Sequence, residues 1–217
     1  MNRRIIIPIV VIPVALAAIL MSSMAMNASN IDNNRENNTA QAIGGNPCPP
    51  TSLDEITVTS VPVKEPKSLP SGYTLQAVID EQPTDIQLLY ADHSLCEFPG
   101  GFDYHGHQLR IVAVKSEEYL TDEEYQKRWL DYAADPDNEV VTKIEPIEVN
   151  GHKGAGWEAY DGYSTVRLNE TMIEKEPYHG DAALFFFNEE EQMSYSIFAN
   201  NSDLSLQQLT DVAKSIE

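Results

Sequence analysis

The residues best suited to chemistry lie in one short run, Asp103-Tyr104-His105-Gly106-His107. On a strand, a His-x-His pair presents both imidazoles on one face, because side chains repeat every two residues. With Asp103 or His93 as a further ligand, His105 and His107 have the donor types of a copper or zinc site. The competing expectation is a pair of solvated histidines in a glycine-containing loop. Elsewhere the acidic runs at 117–118, 122–124 and 189–191 lack the D-x-[DN]-x-[DN]-G spacing of a calcium loop and read as solvated faces. There is no G-x-S-x-G elbow, phosphate loop or dinucleotide fingerprint. No carboxylate pair stands out as acid and base in so acidic a chain. The expectation is a protein without catalysis or cofactor, with metal binding at His105 and His107 as the alternative function.

Charge narrows the partners. The chain has 14 basic and 34 acidic residues, and Arg3 and Arg4 are the only charged side chains in residues 1–26. The remainder therefore carries a net charge of −22. Such a surface repels phosphate backbones, so nucleic acid is excluded as a partner.

Residues 1–26 read as an export segment. After Arg3-Arg4, residues 5–21 contain no polar side chain, and residues 5–26 contain no charge. As a helix, that stretch spans about 33 Å, the thickness of a bilayer's hydrocarbon core. The length favours an uncleaved anchor; the alternative is a signal peptide cut near Ala25, after Ser23-Met24. Either way the positive-inside rule places the rest of the chain outside the membrane.

Residues 27–67 read as a flexible spacer rich in Asn and Pro, with 52–64 alternating enough to suggest an edge strand. The two cysteines, Cys48 and Cys96, are most simply a disulfide in an exported chain. Free thiols, lipidation or a metal site are the alternatives, and no C-x-x-C favours a metal. Sequons at Asn27, Asn37, Asn169 and Asn200 permit glycosylation outside the cell.

The elements that must position these groups occupy residues 68–217. Strands are expected over 73–79, 85–92, 108–115, 144–149, 156–160, 163–168, 182–187 and 193–199. Asn150-Gly151 is a tight-turn signal. Thr121 with Glu124 and Ser205 with Gln208 spell capping boxes, each opening a helix. Tyr125, Trp129 and Tyr132 recur at helical spacing and should face the sheet. Leu184, Phe186, Tyr195 and Ile197 are the expected inward set. The order predicts an α+β domain, an antiparallel sheet with two helices on one face.

Several motifs in succession carry a resemblance: Leu69-Pro70-Ser71-Gly72-Tyr73-Thr74-Leu75, Leu89-Tyr90-Ala91-Asp92, Val149-Asn150-Gly151 with Gly154 or Gly156, Ser194-Tyr195-Ser196-Ile197, and the closing helix. Together they resemble a domain-of-unknown-function family, number 4367, over about 68–217. The resemblance implies a curved sheet similar to the lipoprotein-carrier type fold of LolA and RseB, standing outside a membrane. It brings no catalytic residues. Only four residues precede the apolar run, so the cytoplasmic zinc-binding domain of anti-sigma relatives is not expected here. The functional expectation is a tethered binding or sensing domain that takes an envelope or extracellular ligand in an apolar groove between sheet and helices. A covered sheet, with the groove filled by Trp129 and Trp157, would argue against a carrier.

Overall fold

The computed structural model describes residues 48–56, 61–62, 64–80, 83–97, 101–103, 106–134, 143–167 and 173–216. The expected export helix at 1–26, the spacer up to Pro47, His105, and the sequons at Asn27, Asn37 and Asn169 lie outside the described residues. Among the described residues, no helix is long and apolar enough to cross a membrane.

Seven strands form one antiparallel sheet. In spatial order they are β1 (Thr74–Ile79), β2 (Asp85–Ala91), β5 (Leu109–Lys115), β11 (Met193–Phe198), β10 (Ala183–Asn188), β7 (His152–Trp157) and β6 (Glu145–Val149). Two small pairs stand apart from it: β3 (Cys96–Glu97) with β4 (Gly101–Phe102), and β8 (Tyr160–Arg167) with β9 (Ile173–Gly180). Among the described residues two helices complete the α+β domain, α1 (Asp122–Ala134) and α2 (Leu206–Lys214). Both open with the expected caps. Glu124 N–H donates to Thr121 Oγ1 at 3.2 Å while Thr121 N–H donates to Glu124 Oε2 at 3.1 Å. Ser205 and Gln208 make the same reciprocal pair, satisfying amide groups that the helix itself leaves unpaired.

The helices occupy opposite faces of the sheet, which corrects the expectation of two helices on one face. Leu184 and Phe186 of β10 join the cluster that holds Leu209, Val212 and Ala213 of α2. Their neighbours Phe185 and Phe187 stack on Trp129 and Tyr125 of α1. Successive strand side chains point to opposite faces, so α1 and α2 must lie on opposite sides. The physical reason is in β10 itself: Ala183-Leu184-Phe185-Phe186-Phe187 is apolar without alternation and buried throughout, the pattern of a strand covered on both faces. Fully burying each of Leu184, Phe185, Phe186 and Phe187 contributes about 1.5–3 kcal/mol.

Local chemistry moves other boundaries. Asn150 (φ 50°) and Gly151 (φ 89°) form the tight turn, and pairing starts at once between Val149 and His152. The return strand therefore runs over His152–Trp157 rather than 156–160, which leaves Ala159 exposed beyond its end. Strand β9 has no counterpart in the sequence reading. Pairing β8 outside the main sheet, it contains Glu174, Lys175, Glu176 and Pro177 instead of an apolar alternation. Of the expected edge strand at 52–64, the described residues show a single 3-10 turn, Leu53–Glu55.

The stretch from Cys48 to Lys67 is docked where it is described. Leu53, Ile56 and Val61 pack against the α2-face core. Pro50 accepts from Val78 N–H at 2.7 Å along the outer edge of β1, and Pro66 bridges to Ile216. All described residues belong to the compact unit 43–217.

At Gly156 the sheet comes close to α2. A Cβ there would lie 2.6 Å from Ala183 O, 2.7 Å from Leu206 Cδ1 and 2.8 Å from Ile147 Cδ1. Gly156→Ala is expected to lower stability by about 1–3 kcal/mol through overpacking. A urea melt checks this; an unchanged midpoint would mean that helix and strand separate there at no cost.

Candidate functional site

The His-x-His segment does not form a strand where it is described. Strand β4 ends at Phe102, and Gly106 and His107 lie in a bend before β5. Asp103 is exposed, and its N–H donates to Leu95 O at 2.7 Å. His107 is exposed as well. The charges around it pair locally: His93 with Asp92 at 2.9 Å, and His179 with Asp161 at 2.8 Å. The hydrogen bond from His93 holds the Asp92 carboxyl below its ordinary pKa, with a smaller contribution from His107. Asp161 raises the pKa of His179. Burial pushes the Asp181 carboxyl up, against the opposing pull of an Asn201 backbone bond and the two histidines. Among the described residues, no three His, Cys, Asp or Glu side chains come together as a metal site.

Cys48 and Cys96 do come together, as a disulfide with Cα atoms 5.9 Å apart. Asn200 is half-buried in the turn after β11, where its carbonyl accepts from Gln108 N–H at 2.9 Å. Glu189, in a run read as solvated, and Glu158, outside those runs, hold structure. Glu158 Oε2 accepts from Leu206 N–H at 2.8 Å at the start of α2. Glu189 accepts from Tyr119 Oη at 2.9 Å and from Asp122 N–H at 3.4 Å at the start of α1. Negative charge suits both positions, because unpaired amides leave helix N-termini positive.

The space between α1 and the sheet is filled. The Trp129 ring stacks on Phe185 with centroids 3.9 Å apart, and Trp157 lies 5.1 Å from the same ring. Burial pushes the Tyr125 hydroxyl up to about 12, and that hydroxyl reaches Ser194 and Ser196. On the α2 face, a cavity of about 50 Å³ lies between Lys64, His152, Glu191 and Tyr195. Organic ligands occupy pockets of about 300–1,000 Å³, so this one suits water.

Among the described residues, the part of the α1 face that α1 does not lie over is a strip along β2, β5 and β11. Helix α1 lies over β7, β10 and β6. Leu95 and Phe102 cover Ala77, Leu89 and Ala91 on the other flank. Between them the register lays three cross-strand rows: Asp85, Val114 and Ser194; Gln87, Val112 and Ser196; and Leu89, Arg110 and Phe198. All but Leu89 are half-buried. The rows span about 13 Å along the strands and about 10 Å across them.

Arg110 is the anomaly of this strip. Its Nε is buried without a hydrogen-bond partner, and its guanidinium lies 6.0 Å from the Phe198 ring centroid. Burial lowers its pKa. Sequence reading passed over it, although a lone cation within Leu109-Arg110-Ile111-Val112-Ala113-Val114 is a visible departure from an apolar strand. Comparison of the chain with protein-family models, with curated proteins and with solved structures finds no match, so the site rests on its own geometry.

Proposed function

We propose that this chain is an exported, membrane-tethered binding or sensing domain without catalysis. The open strip of β2, β5 and β11 carries that reading. Among the described residues it is a half-buried face of mixed apolar, hydroxyl, amide and charged groups with no helix lying over it. A filled α1 interface and a cavity of about 50 Å³ argue against a carrier that encloses its cargo. The apolar segment at 1–26 and the net charge of −22 beyond it support an address outside the membrane and a ligand other than nucleic acid. The domain resembling family 4367 would present this strip to an envelope or extracellular component.

A photo-crosslinking residue in place of Val112, introduced in living cells, tests the reading. The expected result is a discrete adduct in the membrane fraction, digestible by protease added outside. The same residue in place of Lys127, exposed on α1, should give none. Equal labelling at the two positions, or none at Val112, would overturn the assignment of this face.

A further inference from the structure

We propose that the Arg110 row is a binding site for the carboxylate of a small aryl or short alkyl monoacid, with the tail lying across Val112 and Phe198. The proposal rests on the strip being the domain's binding face, and it names the ligand class.

Three observations lead to it. First, Arg110 projects from a central strand, half-buried and permanently charged. A desolvated guanidinium normally has a carboxylate beside it. Here, among the described residues, none pairs with it, in a chain with 34 acidic side chains. Its described neighbour is the Phe198 ring, which leaves donors of the planar fork for a two-oxygen anion. Second, Phe198 stands in the same row as Arg110, and the next row holds Val112 and Ser196, one strand step of about 7 Å from the cation, with the Ser196 hydroxyl also in reach of Tyr125. That distance suits a phenyl ring or a few methylenes. The described residues form no enclosed pocket over the half-buried strip, so a flat, short tail fits better than a long one that needs enclosure. Third, the charge selects a monoanion. The strip holds one inward cation, and the chain's negative field disfavours multiply charged ligands. Asp85, at the far end of the strip, is about 13 Å away, beyond the screening length of about 8 Å in physiological salt.

The probe is 3-phenylpropionate, titrated into the full-length chain in lipid nanodiscs with its disulfide intact. Calorimetry and the Arg110 Nε–H resonance follow binding. The expected result is saturable one-to-one binding that shifts this resonance. The uncharged amide, 3-phenylpropanamide, should bind at least tenfold more weakly. Arg110→Gln should lose at least tenfold in affinity without a lower melting temperature. Equal binding of acid and amide, or undiminished binding by Arg110→Gln, overturns the anion site. Inorganic phosphate competing as tightly as the acid overturns the tail assignment. If 3-phenylpropionate does not bind while crosslinking through position 112 persists, the ligand class is wrong and the binding face stands. Loss of both removes the face as well.

Discussion

Trp129→Ala is expected to cost about 3–5 kcal/mol of stability, the range for emptying a large aromatic site in a core. Trp129 is 8% exposed and joins an aromatic array. Its ring stacks on Phe185, meets Tyr125 at 6.5 Å with planes at 69°, and lies 6.2 Å from Trp157. Few other buried groups tie α1 to the sheet: Tyr125 is the helix's other buried residue, and Gln126 donates to Gly154 O at 2.6 Å. The surroundings are other rigid rings and strand backbone, so the void should collapse little. The matched control is Tyr132→Ala, one turn further on. Tyr132 is 41% exposed and meets Trp129 edge to face at 6.4 Å, so its loss should cost well under half as much. Urea melts of the two variants decide the matter. Equal losses would mean that α1 is held by its exposed side rather than by the ring stack. The same substitution bears on the strip, because α1 forms one of its walls and places Tyr125 against Ser194 and Ser196.

The parts of this molecule that were legible in the sequence are those whose physics is local. Thr121 with Glu124 and Ser205 with Gln208 satisfy backbone amides three residues away, and both boxes formed as written. Asn150-Gly151 tolerates two positive φ angles and so fixed a hairpin. Leu109, Ile111 and Ala113 alternate because one face of β5 meets the core. The features that stayed hidden depend on what lies across the sheet. Phe185 and Phe187 differ from Leu184 and Phe186 only in which helix they meet, and no local signal names a helix sixty residues away. Strand β9 pairs outside the core, so Glu174 and Glu176 gave no alternation to find. Residues 48–67 have a spacer's composition, and only their tertiary contacts tie Leu53, Ile56 and Val61 to the sheet. Arg110 was legible as an oddity, but its meaning needed the register that sets it between Leu89 and Phe198.

Replacing Cys48 and Cys96 together with serine is expected to destabilise the domain by about 4 kcal/mol, the chain-entropy value for a loop of this length. The cysteines are 48 positions apart, so the bond removes a large share of the freedom available to residues 48–96 when unfolded. The cost has a location. Behind Cys48 come Pro50, which pairs with the outer edge of β1, and Leu53, Ile56 and Val61, which pack with the α2-face core that includes Val78, Ile86, Leu88 and Tyr90. Without the bond, the first of these contacts is held by one backbone hydrogen bond near the chain's entry into the domain. A net hydrogen bond contributes only about 0.5–1.5 kcal/mol, so this end should open well before the sheet melts. Urea unfolding of the serine variant, and of the native chain with and without reductant, gives the total. Limited proteolysis gives the place, with the first cut in the reduced protein expected ahead of Pro66. A loss below about 1 kcal/mol, with that stretch still protected, would show that apolar packing alone holds it and that the bond is incidental to the fold. An exposed β1 edge is a template for pairing with other chains, so the reduced protein should also self-associate where the oxidised one does not. For a domain working outside the cytoplasm, where such bonds persist, the disulfide would then both set stability and keep that edge closed.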